Sequence, residues 1–176
     1  MLGQIKKKII EVKDFPVPGV GFKDITPVIE DPDCFKFIVD KISDLAEDKG
    51  AERIVSIESR GFILGGPVAY KLSLGMSVIR KKGKLPRECI SVKAPNEYAV
   101  EYFEMHKDSV KPGEKVMVID DLIATGSSSI SAINLVKKIG GSVVGFASLI
   151  ELSFLKGREA IKNEHPDVEI MSLIEF

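Results

Sequence analysis

Two cysteines (Cys34 and Cys89) and two histidines (His106 and His165) are all that the 176 residues hold of either type. That scarcity argues against a zinc cage, a disulfide scaffold and any chemistry built on several histidines. An excess of one charge is missing too. The 25 basic and 26 acidic residues leave a formal net charge of -1, a poor basis for gripping duplex DNA. No apolar run approaches the roughly 18 residues that cross a bilayer. The basic N-terminus turns acidic at Glu11 before an apolar signal core develops. These absences predict a cytoplasmic protein with neither nucleic-acid nor membrane partners. What is present is material for a core, since 44% of the residues are apolar and 29% charged. A chain of this length usually forms one domain and buries roughly 70% of its unfolded surface.

Leu2, Ile5, Ile9 and Val12 recur at helical spacing and predict a short amphipathic helix at the start. Residues 14–24 contain two prolines and two glycines and are predicted to be irregular. Asp31-Pro32-Asp33 begins a helix with the apolar stripe Phe35, Ile38, Ile42 and Leu45, and Gly50 stops it. Strands are predicted at 53–58, 76–80, 115–121, 143–152 and 168–176, with helices from 61 to about 72 and from about 128 to 139. Most of these strands lack polar alternation. They read as a mainly parallel twisted sheet flanked by helices, one α/β domain over residues 1–176. Residues 81–113 are too long for a connection in such a fold. β-prone stretches at 89–92 and 98–105 predict a flexible β-hairpin flap, about 81–107, projecting from the sheet. Insertions of this kind are often lids over active sites.

The most informative stretch is 116–128, Val-Met-Val-Ile-Asp-Asp-Leu-Ile-Ala-Thr-Gly-Ser-Ser. A strand ends at two adjacent carboxylates, and a loop of small residues precedes a helix. Small residues let backbone N–H groups approach an anion, and the helix N-terminus adds partial positive charge. Carboxylates at the carboxyl end of a parallel strand lie where α/β sheets bind ligands, and they accept hydrogen bonds from sugar hydroxyls. One site therefore offers acceptors for a ribose and donors for its phosphate. No Gly-Lys-Ser/Thr follows, so it is not a P-loop, and it is not a Gly-x-Gly-x-x-Gly fingerprint. Two alternatives stay open at this point. One is a plain strand, turn and capped helix. The other is an acidic Mg²⁺ site of a phospho-accepting receiver domain, which expects its acids on several strands early in the chain.

This stretch resembles the signature that binds 5-phosphoribosyl-1-pyrophosphate (PRPP) in type I phosphoribosyltransferases. Five further segments, 16–27, 58–62, 80–86, 97–98 and 151–158, resemble those of the adenine phosphoribosyltransferases, in the family's order. The resemblance implies that fold, with a small hood near the N-terminus (about 1–30). It also implies a homodimer and the conversion of adenine and PRPP to AMP and pyrophosphate. Mg²⁺ would be the cofactor, held mainly by PRPP and pyrophosphate. The chemistry is consistent, because glycosyl transfer passes through an oxocarbenium-like state and a departing pyrophosphate needs its charge neutralised. Water must be excluded from PRPP, a physical reason for a closing flap.

Residue by residue, the resemblance implies that Asp120 and Asp121 hold the ribose hydroxyls. Ala124, Thr125, Gly126, Ser127 and Ser128 would wrap the 5′-phosphate; Ser127 stands where the family has glycine and Ser128 where it has threonine. Arg60, Arg80 and Lys84 would bind pyrophosphate. Arg60 precedes a helix, where a cation is disfavoured unless an anion answers it; its ordinary alternative is a surface arginine. The other cations of the run, Lys81, Lys82 and Arg87, read as solvated. Phe22 would stack on adenine, backbone groups around Gly21 and Lys23 would read its edge, and Leu152 would cover its other face or simply belong to the core. Glu97 would exchange a proton with the purine while Tyr98 closes over the site. Gly21, Lys23 and Ala99 depart from the family's Val or Leu, Arg and Gly. Neither histidine falls in a motif.

Overall fold

The computed structural model describes residues 1–95 and 100–176. The opening helix, α1 (Leu2–Lys8), is shorter than the apolar spacing predicts. Ile9 is already extended, and the chain continues as β1 (Ile10–Val12), paired antiparallel with β2 (Phe22–Asp24). Residues 14–24 are thus irregular only until Phe22, which lies opposite Val12. A three-residue strand is too short to separate from a helical turn by apolar spacing. A short helix, α2 (Thr26–Ile29), follows. Helix α3 (Pro32–Asp48) starts where the sequence places it: Asp31 accepts N–H bonds from Asp33 and Cys34 at 3.1 and 2.9 Å. That cap, with Pro32 in the first turn, satisfies amides that a helix start leaves free.

The main sheet comprises β3 (Arg53–Ile57), β4 (Gly75–Lys81), β5 (Cys89–Lys93), β6 (Tyr102–His106), β7 (Lys115–Ile123), β8 (Ser142–Glu151) and β9 (Ile170–Glu175). Its order is β5-β6-β4-β3-β7-β8-β9. The five strands β4, β3, β7, β8 and β9 run parallel, as expected, while β6 pairs antiparallel with both β4 and β5. The hairpin therefore extends the sheet at its base instead of simply projecting from it. Arg80 lies opposite Glu104 and Lys81 opposite Phe103, and Phe103 and Met105 are buried.

Three more helices complete the layers: α4 (Gly61–Leu72), α5 (Ser127–Ile139) and α6 (Gly157–Glu164), the last preceded by a 3-10 turn, Ser153–Leu155. Strand alternation divides the interior in two. Met117 and Ile119 pack with α1, α3 and α4 on one face; Val116 and Val118 pack with α5, α6 and the hairpin on the other.

Candidate active site

At the carboxyl edge of the parallel strands a cleft of about 370 Å³ opens, lined by the ends of β3, β4 and β7, the start of α4, Glu101 and the loop into α5. Its floor is the acid pair. Strand β7 runs through Asp120 and Asp121 to Ile123, two residues beyond the predicted end, and leaves each of the two residues only 6% exposed. Asp120 Oδ1 accepts the Asp121 N–H at 2.8 Å. Burial first, and then the neighbouring Asp121 charge, push the Asp120 carboxyl well above the usual carboxylate range. Burial also raises Asp121, against the opposing charge of Arg60. The Arg60 guanidinium stands 2.8 Å from Asp121 Oδ2 as an ion pair, although that oxygen accepts no aligned hydrogen bond.

Arg60 links three parts of the site. Its Nη1 donates to the Lys23 carbonyl at 3.0 Å, and its guanidinium lies 4.6 Å from the Phe22 ring centroid. It thereby draws β2 to the acid pair. Phe22 is half-buried and meets Phe15 edge-on at 5.2 Å. Lys23 pairs with Glu11 at 3.2 Å, and its ammonium lies 4.2 Å from the Phe176 ring centroid. Gly21 is exposed. Leu152 does not line the cleft; it is buried in the apolar core, and its N–H bonds the Ile123 carbonyl at 2.9 Å.

Ala124, Thr125, Gly126, Ser127 and Ser128 all line the cleft and lead into α5, whose first turn carries no acidic residue. The free amides of that turn are a ready anion site. The left-handed conformation falls on Gly126, with φ 84°, and Ser127 is the first helical residue. Ser127 is not among the residues of positive φ, so a side chain in the family's glycine place is accommodated. Its hydroxyl donates to the Pro95 carbonyl at 3.2 Å, joining this loop to the hairpin.

The basic run divides. Arg80 Nε donates to Glu58 Oε2 at 2.7 Å and its Nη1 to the Lys84 carbonyl at 3.2 Å; neither Arg80 nor Lys84 lines the cleft. Lys81, read from the sequence as solvated, does line it and pairs with Glu101 at 2.6 Å. A usable signal existed, because adjacent residues of a strand point to opposite faces and only one of Arg80 and Lys81 can face the cleft. Glu58, Ser59 and Glu101 also line it without having been singled out. Glu97 and Tyr98 lie outside the described residues.

A model of the phosphoribosyl transferase domain matches residues 33–176. The chain belongs to the phosphoribosyltransferase family. Within it, the adenine phosphoribosyltransferase of Caldicellulosiruptor bescii is 48% identical over 172 residues, 98% of this chain and 96% of that protein. A crystal structure of the adenine phosphoribosyltransferase from Thermoanaerobacter pseudethanolicus superposes with a TM-score of 0.93 at 40% identity, covering 100% of both chains. The Saccharomyces cerevisiae enzyme, solved with an imino-altritol bisphosphate and adenine, is 32% identical with a TM-score of 0.89 over 98% of each chain. The adenine phosphoribosyltransferases are thus its branch of the family. In this phosphoribosyltransferase, acid pair, cation and small-residue loop share one cleft.

Proposed function

We propose that this chain transfers the 5-phosphoribosyl group of PRPP to adenine, giving AMP and pyrophosphate in purine salvage. The observation that carries this reading is the buried Asp120–Asp121 pair beside the 124–128 loop in a single cleft. Full-length similarity to adenine phosphoribosyltransferases supports it. Asp120 and Asp121 accept hydrogen bonds from the ribose hydroxyls. The α5 amides, with Thr125, Ser127 and Ser128, hold the 5′-phosphate. Both carboxyls are costly to ionise while unliganded; hydroxyl donors and a cation brought by the substrate stabilise their charged form.

Arg60 answers the leaving pyrophosphate after exchanging part of its contact with Asp121, and Arg80 and Lys84 assist at the hairpin side. Lys81 lines the cleft and joins them. Phe22 stacks on the base, and edge-reading falls to backbone groups around Gly21 and Lys23. The yeast relative crystallised with adenine supports adenine as the base. Glu97 exchanges the purine proton, with Tyr98 as cover.

The residues fit a shared Mg²⁺. Among the described residues no three His, Cys, Asp or Glu converge as a metal cage, while the acid pair lies next to the expected pyrophosphate. Such an ion, held mainly by PRPP and pyrophosphate oxygens, supplies charge neutralisation of the leaving group. Residues 1–30 serve as the hood and 81–107 as the flap of a single phosphoribosyltransferase domain. A homodimer and a cytoplasmic setting complete the reading; both cysteines are unpaired, which suits a reducing compartment.

The test is pyrophosphate release from PRPP across a panel of free bases. Adenine is expected to be the preferred base, and IMP formed faster than AMP would sink the assignment. Glu97→Gln and Asp121→Ala are each expected to lower kcat/KM at least about 100-fold. Intact turnover in both would remove the proposed roles.

A further inference from the structure

Helix α6 lies outside the cleft, yet its first residue touches the phosphate loop directly. Gly157 is buried, and a Cβ there would stand 2.2 Å from the Ala124 carbonyl oxygen and 2.9 Å from the Gly126 nitrogen. The contact is reciprocal, since a Cβ on Gly126 would stand 2.7 Å from the Gly157 carbonyl oxygen. No side chain can be inserted on either side. The loop leans backbone to backbone on α6, so the position of α6 sets the position of the loop.

The next residue holds α6 in place. Arg158 Nε donates to both carboxylate oxygens of Glu151 at 3.0 Å, and its Nη2 reaches the same carboxylate. Nη2 also donates to Ser172 Oγ at 2.5 Å, and the Ser172 hydroxyl donates to Glu151 Oε2 at 2.5 Å. Glu151 is the last residue of β8 and is 4% exposed, while Ser172 belongs to β9. Three side chains therefore clamp the start of α6 to two strands. A planar guanidinium fork on a buried carboxylate fixes orientation as well as distance.

We propose that Glu151 and Arg158 are positioning residues for the 5′-phosphate, acting through Gly157 on the loop at 124–126. Neither touches substrate; together they set the backdrop against which the loop amides are aimed. A small misplacement of such donors has large kinetic effects. The proposal rests on reading 124–128 as the phosphate loop.

The test begins with binding of ribose 5-phosphate to the wild-type protein. No binding there would overturn the phosphate-loop reading and this proposal with it, before any variant is made. Arg158→Lys keeps the charge and loses the fork. It is expected to raise the KM for PRPP and the Kd for ribose 5-phosphate by about tenfold, with kcat and the KM for adenine within about twofold. Ser172→Ala removes both bonds of the Ser172 hydroxyl and is expected to show the same pattern more weakly, in a variant that keeps the Arg158–Glu151 ion pair. Arg53→Lys, which loosens the remote partly buried Arg53–Glu114 pair (2.9 Å), is the control for general destabilisation and is expected to leave both constants unchanged. An unchanged PRPP KM in folded Arg158→Lys would overturn the proposal. So would equal rises for PRPP and adenine, or the same pattern in Arg53→Lys.

Discussion

Asp120 carries an internal conflict that function resolves. Its carboxyl is buried beside a second one, and burial followed by the Asp121 charge raises its proton affinity. A carboxyl whose pKa is higher folded than unfolded loses stabilising free energy as pH rises from the unfolded value, 3.8, through the folded one. Neutral pH lies above the unfolded value, so the ligand-free protein carries that cost there. Asp120→Asn keeps an acceptor for the Asp121 N–H and removes the charge. It is expected to stabilise the ligand-free protein by about 1 kcal/mol, a rise in Tm of roughly 2–4 °C, while lowering turnover at least about 100-fold. Calorimetry beside a PRPP-dependent assay checks both; a lower Tm at neutral pH would contradict the burial argument. The pair itself is legible in the sequence, as strand followed by two acids. Its link to Arg60 is not, because 61 positions separate Arg60 from Asp121 and only the pairing of β3 with β7 brings them together.

Among the elements, the parallel strands are the most legible, since residues buried on both faces write themselves as runs of Val and Ile. Strand ends are less so. The end predicted at Asp121 falls two residues short, because Leu122 and Ile123 pair on with Ile150 and Glu151 of β8 beyond the acids. The hairpin base escapes for a different reason: its pairing with β4 is non-local and leaves no periodic mark. That pairing turns the basic run into an alternating pattern, with Lys81 toward the cleft and Lys82 beside the Tyr102 ring. Lys81→Ala is expected to raise the KM for PRPP about five- to tenfold, whereas Lys82→Ala leaves it within about twofold. Steady-state kinetics at fixed ionic strength separate the two, and equal effects would mean that the run acts only as a diffuse field.

For the whole molecule, near-neutrality conceals strong local order. The cations Arg60 and Lys81 and the acids Asp120 and Asp121 meet in one cleft, a distribution suited to a small phosphorylated sugar. The α/β class and single domain were readable from composition and alternation; the division of the interior between two helical layers needed the three-dimensional pairing. One titrating group belongs to this scale. His165 is buried beside α5, facing Lys137, Glu164 and Asp167. Burial, then Lys137, lowers its pKa from 6.5, against the two carboxylates. The neutral ring is favoured on folding, so stability is fully present above 6.5 and lost as pH falls toward the folded value. The Tm is expected to drop as pH falls below about 6.5, and His165→Gln to shrink that drop. An undiminished drop in the variant would assign the acid sensitivity elsewhere.

The sheet works as a party wall. Met117 and Ile119 belong to the room containing α4 and the Arg60 side of the cleft, Val116 and Val118 to the room containing α5 and the hairpin. A substrate that touches Arg60 with one end and the 124–128 loop with the other spans the wall at its rim. Its occupancy therefore rivets together two rooms that the strands divide, and hydrogen exchange should slow in α4 and α5 together when PRPP is added.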